Sequence, residues 1–145
     1  MVRIGITGYG DRGFERAISR FERYVIREVK RIVAETSEII VSQAKALAPV
    51  AEIDGGNLRS SIEVKYYNSG LTAEIISGAD YSLWVEFGTG VYATGPGGGR
   101  TDPWVYFNEK TQQWTFTRGM PAQPFWRPAL EQGRDHFERE MRRLG

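Results

Sequence analysis

The sequence predicts an α+β fold in which a long N-terminal helix and a C-terminal helix pack on a small, mainly antiparallel sheet of two hairpins. Three observations carry that prediction. Apolar residues step by three and four along residues 11–48, the period of one helix face. Two pairs of short β-type runs, 58–67 with 71–77 and 104–107 with 114–117, are each joined by polar turn residues. A further helical period follows Pro128.

The first helix rests on Phe14, Ile18, Phe21, Val25, Val29, Ile32, Ile39 and Leu47. Asp11 is its expected cap, and Pro49 its stop, because proline disfavours helical geometry at Ala48. A helix of this length reaches about 55 Å at 1.5 Å per residue, beyond one diameter of a compact domain this size. Part of it is therefore expected to project or to pack against another subunit. Opposite the apolar stripe, Arg12, Arg16, Arg20, Arg23, Arg27 and Arg31 repeat at the same spacing. That row reads either as a solvated face balanced by Glu15, Glu22, Glu28 and Glu35, or as an interface or nucleic-acid contact.

Asn68, Ser69 and Gly70 form the first hairpin's turn, between Ile62-Val64-Tyr66 alternation and the run through Ala73, Ile75 and Ile76. Behind Asp80 a short helix carries Tyr81, Trp84, Val85 and Phe87 and stops at Gly88, where glycine tolerates positive φ. Residues 88–103, with glycine at 95 and 97–99, read as a mobile loop. Trp104 to Phe107 and Trp114 to Thr117 make the second hairpin, rich in aromatics. Leu130, Phe137, Met141 and Leu144 then mark the expected buried side of the last helix.

Composition narrows the function. The chain has 145 residues, no cysteine, and 19 basic against 18 acidic side chains. One core is expected, so residues 1–145 read as a single domain with a flexible segment 1–10. Disulfides, thiolate zinc sites and cysteine nucleophiles are excluded. Near-neutral charge argues against a protein that coats nucleic acid, though a local patch remains open. No apolar run resembles a signal peptide or reaches the length of a membrane helix, so neither secretion by a signal nor a membrane span is expected.

The candidate chemistry is sparse. His136 is the only histidine, too few for a metal centre, and reads as an ordinary surface residue. The glycine cluster before Arg100 lacks the lysine and serine or threonine of a phosphate loop. Glu86 lies between Val85 and Phe87, where a carboxylate either serves as an acid or base with a second carboxylate such as Glu74, Asp80 or Asp102, or pairs with an arginine such as Arg59, within the protein or across a subunit boundary. The second-hairpin aromatics could stack bases, but core or interface packing is the commoner fate. No catalytic residue, cofactor or metal ligand is assigned.

Several blocks occur in a telling order: Ala48-Pro49, then Gly56-Asn57-Leu58-Arg59-Ser60-Ser61-Ile62, then Val85-Glu86-Phe87-Gly88-Thr89, then Gln123-Pro124-Phe125 and Pro128-Ala129-Leu130. Together they resemble the tail-component family of long-tailed bacteriophages and prophages, small neck or tail-completion proteins. Gly55 stands where that family usually has threonine, and residues 51–54 lengthen the preceding loop. The resemblance implies a structural virion protein without catalysis, located in the tail or neck and in the host cytoplasm during assembly. It implies tail completion or head–tail joining by a ring of about six copies on the tail tube, closed by one repeated pair of patches. Its partners would be itself, the tail tube protein and the head-side connector protein, with DNA contact in the channel open. The candidates for subunit or tail-tube contact are Arg59, Glu86, Phe87, Gly88, Thr89, Pro124 and Phe125. Those for DNA or partner contact are Arg16, Arg20, Arg23 and Arg27.

Overall fold

A computed structural model describes residues 12–50 and 56–145. Asp11, segment 1–10 and residues 51–55 lie outside it. Helix α1 (Arg12–Leu47) is a single 36-residue helix. Its neighbours are a helical turn α2 (Asn57–Ser60), the hairpin β1 (Ile62–Tyr67) and β2 (Thr72–Ser77), and helix α3 (Ser82–Phe87). The second hairpin, β3 (Trp104–Asn108) and β4 (Gln113–Thr117), and helix α4 (Trp126–Leu144) complete the order. The class is α+β as expected, with each hairpin standing as its own two-stranded antiparallel sheet.

Helix α1 is the axis on which the rest is hung. Helix α4 lies along one side of it and runs antiparallel, since Gly133 abuts Ile40, His136 meets Glu35, and Arg31 reaches Glu140. The first hairpin packs on another side. Its register pairs Ile62 with Ser77 and Val64 with Ile75, which turns alternate apolar residues toward α1. The expected first strand begins later than residue 58, because Leu58, Arg59 and Ser60 form the turn of α2 behind Gly56, whose φ is 93°.

Two buried lines differ from the sequence expectation. On α1 the buried positions are Ile32, Ser37, Ile40 and Ala44, and of the predicted stripe only Ile32 is among them. Among the described residues, α4 and the first hairpin pack on the C-terminal half of α1 from two sides, so the buried line winds around the helix. On α4 the buried positions include Ala129, Gly133 and Glu140, whereas Leu130 and Phe137 are exposed. The helices meet so closely that a Cβ at Gly133 would run into the Ile40 side chain. Small residues set the contact line here, and the larger ones flank it.

The core gathers where α1 ends. Ile40, Ala44, Ala48, Leu58, Ile62, Val85, Phe125 and Ala129 form one buried cluster, with Val41, Ile75, Tyr81 and Trp126 packed around it. Phe125 is 1% exposed and is the largest side chain fully enclosed there.

Candidate functional site

The sequence blocks that lie far apart along the chain converge on this core. Glu86, in the last turn of α3, is 8% exposed. Its Oε2 accepts the backbone N–H groups of Phe125 and Trp126, both at 2.9 Å, and its Oε1 accepts that of Arg127 at 3.0 Å. Those are the first donors of α4, which have no partner within the helix, and a carboxylate there also meets the positive end of the helix dipole. One residue earlier, the Val85 carbonyl accepts the Gln123 N–H at 2.8 Å. Glu86 thus clasps the start of α4 to α3.

Within the chain, this placement differs from both sequence readings of Glu86. Among the described residues no arginine pairs with it; Arg59 sits instead at the C-terminal end of α1, where its Nη2 donates to the Ala48 carbonyl at 3.5 Å. The carboxylates weighed as catalytic partners, Glu74, Asp80 and Asp102, are all exposed, and Glu74 accepts the Tyr67 hydroxyl at 3.0 Å. With both of its oxygens held by backbone donors, Glu86 is a helix cap.

Gly88 and Thr89 extend the clasp. Gly88 has φ 74°, and a Cβ there would stand 2.8 Å from both the Ala122 nitrogen and the Met120 carbonyl oxygen, so only glycine fits without a shift. The Thr89 N–H donates to the Met120 carbonyl at 2.9 Å, the Met120 N–H donates to the Thr89 hydroxyl at 2.8 Å, and the Val91 N–H donates to the Arg118 carbonyl at 3.1 Å. Gly90 and Gly119 face each other across this crossing, where neither has room for a side chain. The foot of the second hairpin is therefore cinched. Of the candidate contact residues, Glu86, Gly88 and Phe125 are buried, Thr89 is half-buried, and Arg59, Phe87 and Pro124 are exposed.

Beside the clasp lies a groove of about 960 Å³, walled by Tyr81, Trp84, Trp104, Tyr106 and Met120. The second hairpin forms one side of it. Its register pairs Trp104 with Thr117 and Tyr106 with Thr115, and on the opposite face Val105 with Phe116 and Phe107 with Trp114. Only the first face borders the groove. The outer face is apolar throughout and open, with Val105 57%, Phe107 43%, Trp114 73% and Phe116 63% exposed.

The arginine row divides. Arg31 is enclosed by carboxylates: Nε meets Glu28 at 3.0 Å, Nη1 meets Glu35 at 2.8 Å, and Nη2 meets Glu140 at 3.4 Å. Its guanidinium is pushed above its already high range, chiefly by the hydrogen bonds to Glu35 and Glu28. Glu35 is held below the usual carboxylate range, first by Arg31 and then by His136. His136 is not the open surface residue that the sequence suggested. Its side chain lies between α1 and α4, with Nε2 3.0 Å from Glu35 Oε2 and Nδ1 3.3 Å from Arg139 Nη2. Toward the N-terminus the balance is lost: Arg16, Arg20 and Arg23 make no ion pair among the described residues, and Arg27 lies over the Tyr24 ring, 5.9 Å from its centroid.

No group of histidine, cysteine and carboxylate side chains among the described residues is arranged to hold a metal ion, and no helix among them is long and apolar enough to cross a membrane. The clasp was hidden in the sequence because its two halves are about forty residues apart. The one local signal was a lone carboxylate in an apolar turn. Compared with known proteins, residues 12–88 match the model of the bacteriophage HK97-gp10 tail-component family, a span that runs from the start of α1 to the end of α3. No curated protein and no solved structure matches the chain.

Proposed function

Because the chain belongs to the HK97-gp10-like family of bacteriophage tail components, we propose that it works at the head–tail junction, completing the tail or joining it to the head as a ring on the tail tube. The observation that carries this reading is the mismatch between α1 and its partners. Helix α1 has 36 residues and α4 has 19, and Ile18 and Phe21 on the N-terminal half are 41% and 66% exposed. A subunit that completes its burial against neighbours needs such a surface. In this reading the chain is one structural domain with no catalytic step and no cofactor. It sits in the tail or neck of the virion after assembling in the host cytoplasm. Its partners are further copies of itself, about six in a closed ring, the tail tube protein and the head-side connector. Phe87, Thr89 and Pro124 meet a neighbour or the tube, while Arg59, Glu86, Gly88 and Phe125 hold them in place.

Negative-stain electron microscopy of induced lysates, with and without this gene, tests the proposal. Filled heads accumulating beside unjoined tails support it, and tails of irregular length would assign the role to tail completion. Normal infectious particles in the deletion overturn it.

A second reading has its own observation. Arg16, Arg20 and Arg23 have no ion-pair partner among the described residues, so the row is electrostatically available to phosphates in the channel. Binding to duplex DNA that falls steeply with salt, and is lost on replacing these three arginines by glutamine, would establish it. Salt-insensitive or absent binding removes it.

A further inference from the structure

The first hairpin is supported by α1, but none of the described helices packs closely on the second. A lone two-stranded hairpin is marginal in water and needs a helix or further strands on its apolar face. The outer face of Val105, Phe107, Trp114 and Phe116 exposes on the order of 500 Å² of apolar surface, since large aromatic side chains carry about 150–250 Å² each. That is more than half of the roughly 800 Å² that each partner contributes to a standard interface.

The same molecule carries a matching uncovered surface. The antiparallel pairing of Ile40 with Gly133, Glu35 with His136 and Arg31 with Glu140 brings Leu144 level with the turn at Arg27. Beyond it, the apolar line of α1 continues as the half-buried Val25 and the exposed Phe21 and Ile18, which no described helix or strand is seen to cover. Those three residues extend about 10 Å along the helix, and the hairpin face measures about 7 Å by 5 Å between Cα positions, so one fits on the other. The chain cannot make this contact with itself, because Pro49, which lines the groove beside the second hairpin, lies about 40 Å down the helix from Phe21.

We propose that the outer face of the second hairpin of one copy packs on the Ile18–Phe21–Val25 seam of α1 in the next copy. The proposal rests on the ring reading above and names the pair of surfaces that closes the ring. Each copy offers one hairpin face and one seam, so a closed ring satisfies all of them, as a heterologous interface requires. The molecule already uses this arrangement internally, where the first hairpin packs on the C-terminal half of the same helix.

The absence of cysteine makes the test clean, because introduced thiols have no competitors. Full-length F21C and F116C chains are mixed under mild oxidation, and the double variant F21C/F116C is oxidised both alone and in particles assembled in vivo. The proposal expects a disulfide dimer from the mixture, none from either single variant, and from the double variant a ladder that extends past the dimer. Self-linking of F21C alone would mean that α1 pairs with α1, and overturns it. Oligomers that form without any Phe21–Phe116 link overturn this interface while leaving the ring standing. Absence of oligomers in solution and of links between copies in particles overturns both. A second variant, W114E, is expected to leave the circular dichroism of the chain unchanged and to weaken self-association at least about tenfold; unchanged association would also sink the proposal.

Discussion

The two ends of α1 live under different rules. At its C-terminal end Ala44, Ala48, Leu58, Val85, Phe125 and Ala129 are enclosed, and the donors at the start of α4 are met by one carboxylate. At its N-terminal end Phe21 and Tyr24 face outward, and the arginines lose their carboxylate partners. One half of the helix is a structural axis, stabilised by what the chain supplies. The other half is a surface that the described helices and strands leave largely open. The sequence period is the same in both halves, so amphipathic patterning alone does not say which neighbour an apolar stripe is meant for.

Substitutions sharpen this contrast. The largest effect is expected from Phe125→Ala, at about 3–5 kcal/mol in urea denaturation of the isolated chain, because a fully buried ring is lost and its cavity persists. Glu86→Ala should cost about 3 kcal/mol, since it strands three helix-start donors at a buried site, and Glu86→Gln about half as much, since one oxygen acceptor remains. A chain as stable as the parent after Glu86→Ala would show that water replaces the clasp. Gly133→Val should cost about 1–3 kcal/mol through overpacking against Ile40, and combining it with Ile40→Ala should cost less than the sum of the two.

Acid probes the middle of the helix pair. Glu35 is held below the usual carboxylate range by Arg31, so its contribution is complete above that range and is lost as the pH falls through its depressed value. Thermal scans at decreasing pH should show this loss, and Glu35→Gln should flatten the acid limb; an unchanged limb would assign the acid sensitivity to other carboxylates. Trp114→Ala and Phe21→Ala mark the small end, with changes within about 0.5 kcal/mol for the isolated chain. A cost near that of Phe125→Ala would mean that the chain covers these side chains itself.

How much of this was legible depended on distance along the chain. The long helix and both hairpins were readable because period, turn residues and proline stops act locally: the turn at Asn68 and Gly70 and the Asn108 side chain that accepts the Lys110 and Thr111 N–H groups need only their neighbours. The line on which α4 packs was not, because it follows small residues, Ala129 and Gly133, whose importance appears only once Ile40 stands opposite. The role of Glu86 was likewise hidden, since nothing near residue 86 announces the backbone donors of residues 125–127. His136 was read as surface because its own helix is highly charged, and its partner Glu35 lies on another.

The cinch at the foot of the second hairpin has an evolutionary consequence. Thr89 and Val91 are tied to Met120 and Arg118, so the chain leaves the core and returns to it at one fixed crossing. Beyond Thr94, whose N–H and hydroxyl both donate to the Phe87 carbonyl, residues 96–117 form an excursion outside the buried cluster. Residues can be added to or removed from that excursion without altering the register of α3 against α4. A lineage can therefore reshape what the domain touches while inheriting its interior unchanged, and the glycines at 90 and 119, which allow the two strands to cross so closely, are the positions that keep this freedom available.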